Sequence, residues 1–194
     1  MVKSNAIQLA SIDEISGMAK DTLSLTVLKQ YLKDCPKEEL AKDIIELCKR
    51  FPSVKDYYQL KLNPDDETHV IVKYKQIIEH EFFPARGYGK AKLSVARKAV
   101  SEYRKVCRNP VNLADIMLFH VEQGVKFTNA YGDIDEPFYN SMESMYGDAI
   151  KWVSKNELQD IFQQRFQKIV KDTSSIGWGF HDTLLEIYEE VYGS

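Results

Sequence analysis

Apolar residues recur at three- and four-residue intervals along most of the chain, and prolines, glycines and short polar clusters interrupt them. That spacing predicts amphipathic helices joined by tight turns. From Ser24, a plausible N-cap, Leu25, Leu28, Tyr31 and Leu32 mark a first helix, which Pro36 ends. Lys37-Glu38-Glu39-Leu40 opens a second, with acids in the first turn where the helix dipole favours them and Leu40, Ile44, Leu47 and Cys48 on its apolar face. Pro52 and Ser53 then start a short third helix carrying Val54, Tyr57, Tyr58, Leu60 and Leu62, with Ser53 as its cap. The next begins at Asn63-Pro64-Asp65-Asp66-Glu67 and runs to Phe83, where Pro84 stops it. Alternation over Thr68 to Val72 is too short to outvote these helical surroundings.

Pro84 to Lys90 holds a proline and two glycines and reads as a loop. Ser94 can cap the following helix, which places Val95, Ala99, Tyr103 and Val106 inward and a row of cations outward. The helix from about Val111 to Tyr131 is apolar all round at Ile116-Met117-Leu118-Phe119, so it should be the central element. Gly124 sits inside it at a cost of about 1 kcal/mol relative to Ala, which a closely crossing helix would offset. Phe138, Met142, Met145, Ala149 and Trp152 predict another helix, as do Leu158, Phe162, Phe166 and Ile169. After a loop at Asp172 to Gly179, Phe180, Leu184, Ile187, Tyr188 and Val191 predict the last. The expected fold is all-α, with eight or nine helices in a single bundle or a short α-solenoid-like domain. Residues 1–22 have weak periodicity and read as an N-terminal extension, a partly mobile arm, with one helical domain over 23–194.

Composition narrows the class. At 194 residues the chain can build one well-buried core. Its net charge of -3 argues against a surface devoted to nucleic acid or an anionic membrane. Three cysteines, Cys35, Cys48 and Cys107, are too few and too scattered for a secreted scaffold, which favours a reducing cytoplasm. No signal-peptide core and no apolar run of membrane-spanning length is visible, so no membrane association is expected.

Three sequence runs carry a resemblance. Glu-Phe-Phe-Pro-x-Arg-Gly-Tyr-Gly-Lys at 81–90, Glu-Gln-Gly-Val-Lys-Phe-Thr-Asn-Ala-Tyr-Gly-Asp-Ile-Asp-Glu-Pro-Phe-Tyr-Asn-Ser-Met at 122–142 and Ser-Ile-Gly-Trp-Gly-Phe-His-Asp at 175–182 resemble an uncharacterised bacterial family classed as a domain of unknown function. The likeness covers residue 23 to the end. It implies an all-helical fold and a bacterial origin, and brings no established activity or catalytic residues.

The polar chemistry concentrates in the three loops. The corner offers Asn129, Tyr131, Asp133, Asp135, Tyr139 and Asn140, and the third loop offers Trp178 and His181, although Trp178 and Phe180 read more simply as core anchors beside glycines. Asp133, Asp135 and Glu136, with His120 and His181-Asp182, have the donor types a divalent cation takes. Turn and cap chemistry explains Asp133 and Asp135 as well, and His120 reads as a satisfied core histidine. No zinc-protease, EF-hand or deaminase spacing occurs, so no metal ligand, catalytic residue or cofactor is assigned.

Arg86 and Lys90 open a basic segment. Eight Lys or Arg against one Glu between Arg86 and Arg108 give +7, leaving -10 for the remainder. Glycine-freed amides and these cations could hold a phosphate or, through Lys92, Arg97, Lys98 and Arg104, follow a nucleic-acid backbone. The bland alternative is a solvated helix face paired with the chain's own acids. The leading expectation is a non-catalytic helical module binding a protein partner or small ligand near the 127–142 corner. Nucleic acid or a phosphate ligand on the basic segment comes second, and a metal-dependent hydrolase third.

Overall fold

A computed structural model describes residues 23–193, and the arm expected at 1–22 lies outside them. The described residues contain nine α-helices and no strand. The chain divides into two compact units at Arg50 and Phe51.

The first unit carries α1 (Leu25–Asp34) and α2 (Lys37–Arg50). Ser24 caps α1 by accepting from Val27 N–H at 3.2 Å. Neither helix has a buried residue among those described, and of the apolar stripes read from the sequence Leu25, Tyr31, Leu32, Ile44 and Leu47 are exposed and Leu28, Leu40 and Cys48 half-buried.

In the second unit, α3 (Pro52–Leu62) leads through a 3-10 turn at Pro64–Asp66 into α4 (Glu67–Phe82). Then follow α5 (Leu93–Val106), α6 (Pro110–Tyr131), α7 (Glu136–Lys155), α8 (Gln159–Asp172) and α9 (Phe180–Tyr192). The hydrophobic helix α6 packs against α4, α5, α7 and α8, and α9 closes over α7 and α8. Ile116, Met117 and Leu118 are fully buried, as an element surrounded by others requires.

Gly124 explains how α7 comes so close. A Cβ there would overlap the sulfur of Met142, so only glycine lets the two helix backbones approach with Met142 between them.

Two polar clusters tie helices together. Glu67 Oε1, at the start of α4, accepts from Tyr103 Oη at 3.1 Å and from Cys107 Sγ, Arg108 N and Asn109 N at 3.2 Å each. Burial works to raise this carboxyl, and the converging donors outweigh it and hold it below its ordinary value. The other cluster spans α4, α6 and α8. Arg165 donates to both oxygens of Glu122 at 2.6 and 2.9 Å and to Asp115 at 2.5 Å, while Lys75 reaches Asp115 at 2.6 Å.

Local expectations fail where tertiary packing or chain stiffness decides. Ser53 does not cap α3, because Pro52 already occupies the first turn and Phe51 takes the cap position. Ser94 lies inside α5, which starts one residue earlier, after Lys92. Leu62 ends α3 exposed rather than inward, and Thr68 to Val72 is helical. Trp178 is exposed in the third loop, held at φ 63°, whereas its neighbour Phe180 is fully buried and takes the anchoring role. His120 is buried as expected but not satisfied, since neither ring nitrogen has a hydrogen-bond partner among the described residues.

Candidate functional site

The Gly132-to-Asp135 corner is built by capping. α6 ends when Gly132, at φ 88°, donates its N–H back to Thr128 O at 2.8 Å. α7 starts when Asp135 accepts from Phe138 N–H at 3.0 Å, with Pro137 in the first turn.

The polar residues between these caps are spent on the corner itself. The buried Tyr139 hydroxyl lies 2.8 Å from Thr128 Oγ1, donates to Asp133 Oδ1 at 3.2 Å and accepts from Ile134 N–H at 3.3 Å. Thr128 Oγ1 also donates to Gly132 O at 3.2 Å. Asn129 reaches across to α8 and donates to Asp172 O at 2.8 Å. Of the corner residues read as candidates, Tyr131 and Asn140 remain exposed with no side-chain hydrogen bond among the described residues.

Both other loops meet this corner. The third loop comes close to it at Gly177, where an added Cβ would lie 3.7 Å from Asp133 Oδ2. Its His181 is engaged with the end of α8 and the start of the loop: Nδ1 lies 3.0 Å from Thr173 Oγ1 and 3.2 Å from Val170 O. Thr173 commits its own proton to Val170 O at 2.7 Å, so both neighbours of Nδ1 present lone pairs and the proton of the neutral ring belongs on Nδ1. Trp178 stands exposed on the same loop.

The loop at 84–92 meets the corner through aromatic rings. Tyr88 stands edge-on to Tyr131 with centroids 6.2 Å apart, and Tyr131 in turn stacks on Phe83 at 6.3 Å and tilts against Phe127 at 4.8 Å. Such offset and edge arrangements follow from the ring quadrupoles. The loop is fixed from beneath. Gly89 presses onto the Phe82 carbonyl where no Cβ would fit, and Ala91 donates to Glu81 O at 2.8 Å with φ 44°. Positive φ at alanine is strain that the surroundings must hold in place.

Beside Tyr88 lies a cavity of about 240 Å³, lined by His80, Glu81, Pro84, Arg86, Tyr88, Lys90 and Lys92. Arg86, Lys90 and Lys92 enter no ion pair and no side-chain hydrogen bond among the described residues. Three cations against the one carboxylate of Glu81, next to an exposed phenol, can hold an anion that carries a flat or apolar surface.

The rest of the basic segment behaves differently. Arg97 leans across to α7, donating to Ser141 O at 2.9 Å, and an Arg104 guanidinium nitrogen lies 3.5 Å from the sulfur of Met117. Together with Lys98, Ser94 and Ser101 these arginines border a groove of about 390 Å³ whose far wall includes Asp148. No group of three His, Cys, Asp or Glu side chains capable of holding a metal occurs among the described residues.

Sequence reasoning found the loops and their charges but missed Phe83 and Phe127 as the aromatic base beneath Tyr131. Their spacing to Tyr131 was visible only as core periodicity.

A family model described as a family of unknown function (DUF6155) matches residues 23–192. No curated protein and no solved structure matches the chain.

Proposed function

We infer, for a chain that belongs to the DUF6155 family of unknown function, that it is a non-catalytic helical module binding a small anionic ligand where the 84–92 loop meets the corner. The observation that carries this reading is the cavity beside Tyr88, with three cations against one carboxylate on its wall, none of the cations ion-paired among the described residues, and the Tyr88–Tyr131 pair at its edge. The corner's own polar groups are absorbed by its caps, so the binding face shifts from the 127–142 acids toward Arg86, Tyr88, Lys90 and Tyr131. Free cysteines at 35, 48 and 107 suit a reducing cytoplasm as the place of work.

Calorimetric titration with a panel of small phosphates and aryl phosphates tests it. Saturable binding that weakens with salt, and that Arg86→Ala and Tyr88→Ala each reduce while leaving the melting temperature unchanged, is the expected result. No binding to any member at about 50 mM salt would remove the reading.

Nucleic acid along α5 is the second reading, favoured by the Arg97, Lys98 and Arg104 groove. It has less support because Arg97 is already engaged with α7. A metal-dependent hydrolase has least, with Asp133 and Asp135 occupied by Tyr139 and the α7 cap.

A further inference from the structure

An apolar concavity on the second unit has no part in the loop site. It lies between the start of α3 and the faces of α4 and α5, has a volume of about 430 Å³, and presents Phe51, Pro52, Ile77 and Val95 over a floor of Tyr74 and Ala99. That volume falls within the range of small-ligand pockets, roughly 300–1,000 Å³. At the ~30 Å³ a water-sized group takes up in a condensed phase, it accommodates on the order of a dozen heavy atoms. A helix of a partner protein would need a longer trough.

The rim charges decide the ligand's character. Lys73 is held by both oxygens of the buried Asp56, at 2.7 and 2.9 Å, and Glu102 is paired with Lys105 at 2.7 Å. Both are therefore neutralised where they stand. Lys98 alone on this rim has no ion pair and no side-chain hydrogen bond among the described residues, and its side chain is exposed. Two of the floor and wall residues, Phe51 and Ile77, remain well exposed although apolar, at 50% and 38%. An occupant that covers them removes apolar area from water at roughly 25 cal/mol per Å².

We propose that this pocket binds a small amphipathic monoanion, an unbranched carboxylate whose chain lies over Ile77, Val95 and Phe51 and whose head group meets Lys98. The geometry specifies one apolar tail and one negative charge. A neutral chain of the same length would leave Lys98 unanswered, and a dianion would find no second free cation on the rim.

Decanoate and decanol are suitable probes, titrated into the full chain by calorimetry and by amide chemical shifts below the micelle concentration of decanoate. Decanoate should bind saturably and more tightly than decanol, with the largest shifts at Ile77, Val95 and Ala99. Lys98→Met should weaken decanoate by about five-fold, as the loss of one exposed charge contact does, and leave decanol unchanged. Val95→Trp should abolish binding of both; if that variant fails to fold, Ile77→Trp, at a more exposed wall position, serves the same purpose. Absence of saturable decanoate binding, shifts confined to other helices, or an unchanged affinity in Lys98→Met would each overturn the proposal.

Discussion

Gly124 of α6 and Met142 of α7 occupy one another's space so closely that a single methyl group on Gly124 would run into the Met142 sulfur. The central helix pair is thus set by an absence of side chain on one partner and by a flexible, fully buried side chain on the other.

Gly124→Ala therefore sets two effects against each other. Ala gains about 1 kcal/mol of helix propensity, whereas overpacking a close-fitted core costs typically 1–3 kcal/mol. Met142 has no exposed volume into which to retreat, so we expect overpacking to win by about 1 kcal/mol. Urea denaturation of the variant, read by far-UV circular dichroism, would show a lower midpoint. A raised midpoint would mean that the helices separate at no cost.

Tyr139→Phe separates architecture from binding. The substitution removes a buried hydroxyl and strands Thr128, Asp133 and the Ile134 amide, a loss of about 1–3 kcal/mol. Tyr88→Ala removes a ring that is 84% exposed and should leave stability within about 0.5 kcal/mol. Thermal melts of the two variants side by side check the contrast.

Stability should fall on mild acidification because of His120. Burial, with a smaller contribution from the charge of Arg97, lowers its imidazole to about 3 in the folded chain, against 6.5 in the unfolded one. Above pH 6.5 both states are neutral. As pH falls below 6.5 the unfolded chain takes up a proton that the folded chain refuses, at about 1.4 kcal/mol per pH unit, and the loss levels off near pH 3. Glu67, held below its ordinary value, adds to the loss only as pH falls below 4.5, whereas Glu143, raised by burial, works in the opposite direction as pH falls toward 4.5. Denaturation midpoints between pH 7 and 5 isolate the histidine, and His120→Leu should flatten the profile over that interval.

Arg165→Lys should destabilise by about 1–2 kcal/mol although the charge is kept. An ammonium cannot reproduce the two parallel bonds to Glu122 while also reaching Asp115. The cluster is only partly exposed, so salt should weaken the effect slightly rather than abolish it. A denaturation series with and without added salt measures both.

Most of the helical order was legible from spacing alone, because each segment of the second unit buries one face and α6 buries nearly all of its own. The cap at Asp135 was equally legible, since a carboxylate before Glu-Pro has few other uses. Ser53 and Ser94 misled because cap chemistry is shared with ordinary helix positions, and neighbouring proline and lysine geometry decided the start. His120 was placed correctly in the core, but periodicity cannot say whether a buried imidazole finds a partner. The corner's crowd of polar side chains could not be apportioned from sequence. Tyr139 takes up Asp133 and Thr128, and Asn129 takes up a carbonyl 43 residues away on α8. The aromatic step from Phe127 through Tyr131 to Tyr88 was hidden for a related reason: it joins two loops that chain order keeps apart.

The 84–92 loop, pinned at Gly89 and Ala91 with Gly87 at φ 78° between them and the chain's exit from α4, is already folded into the shape in which it shows Tyr88. A partner arriving there meets a surface that has surrendered its conformational freedom during folding rather than at the moment of encounter. The ordering entropy that a slack glycine loop would lose on association, about 0.5–1.5 kcal/mol for each side chain immobilised, is correspondingly reduced.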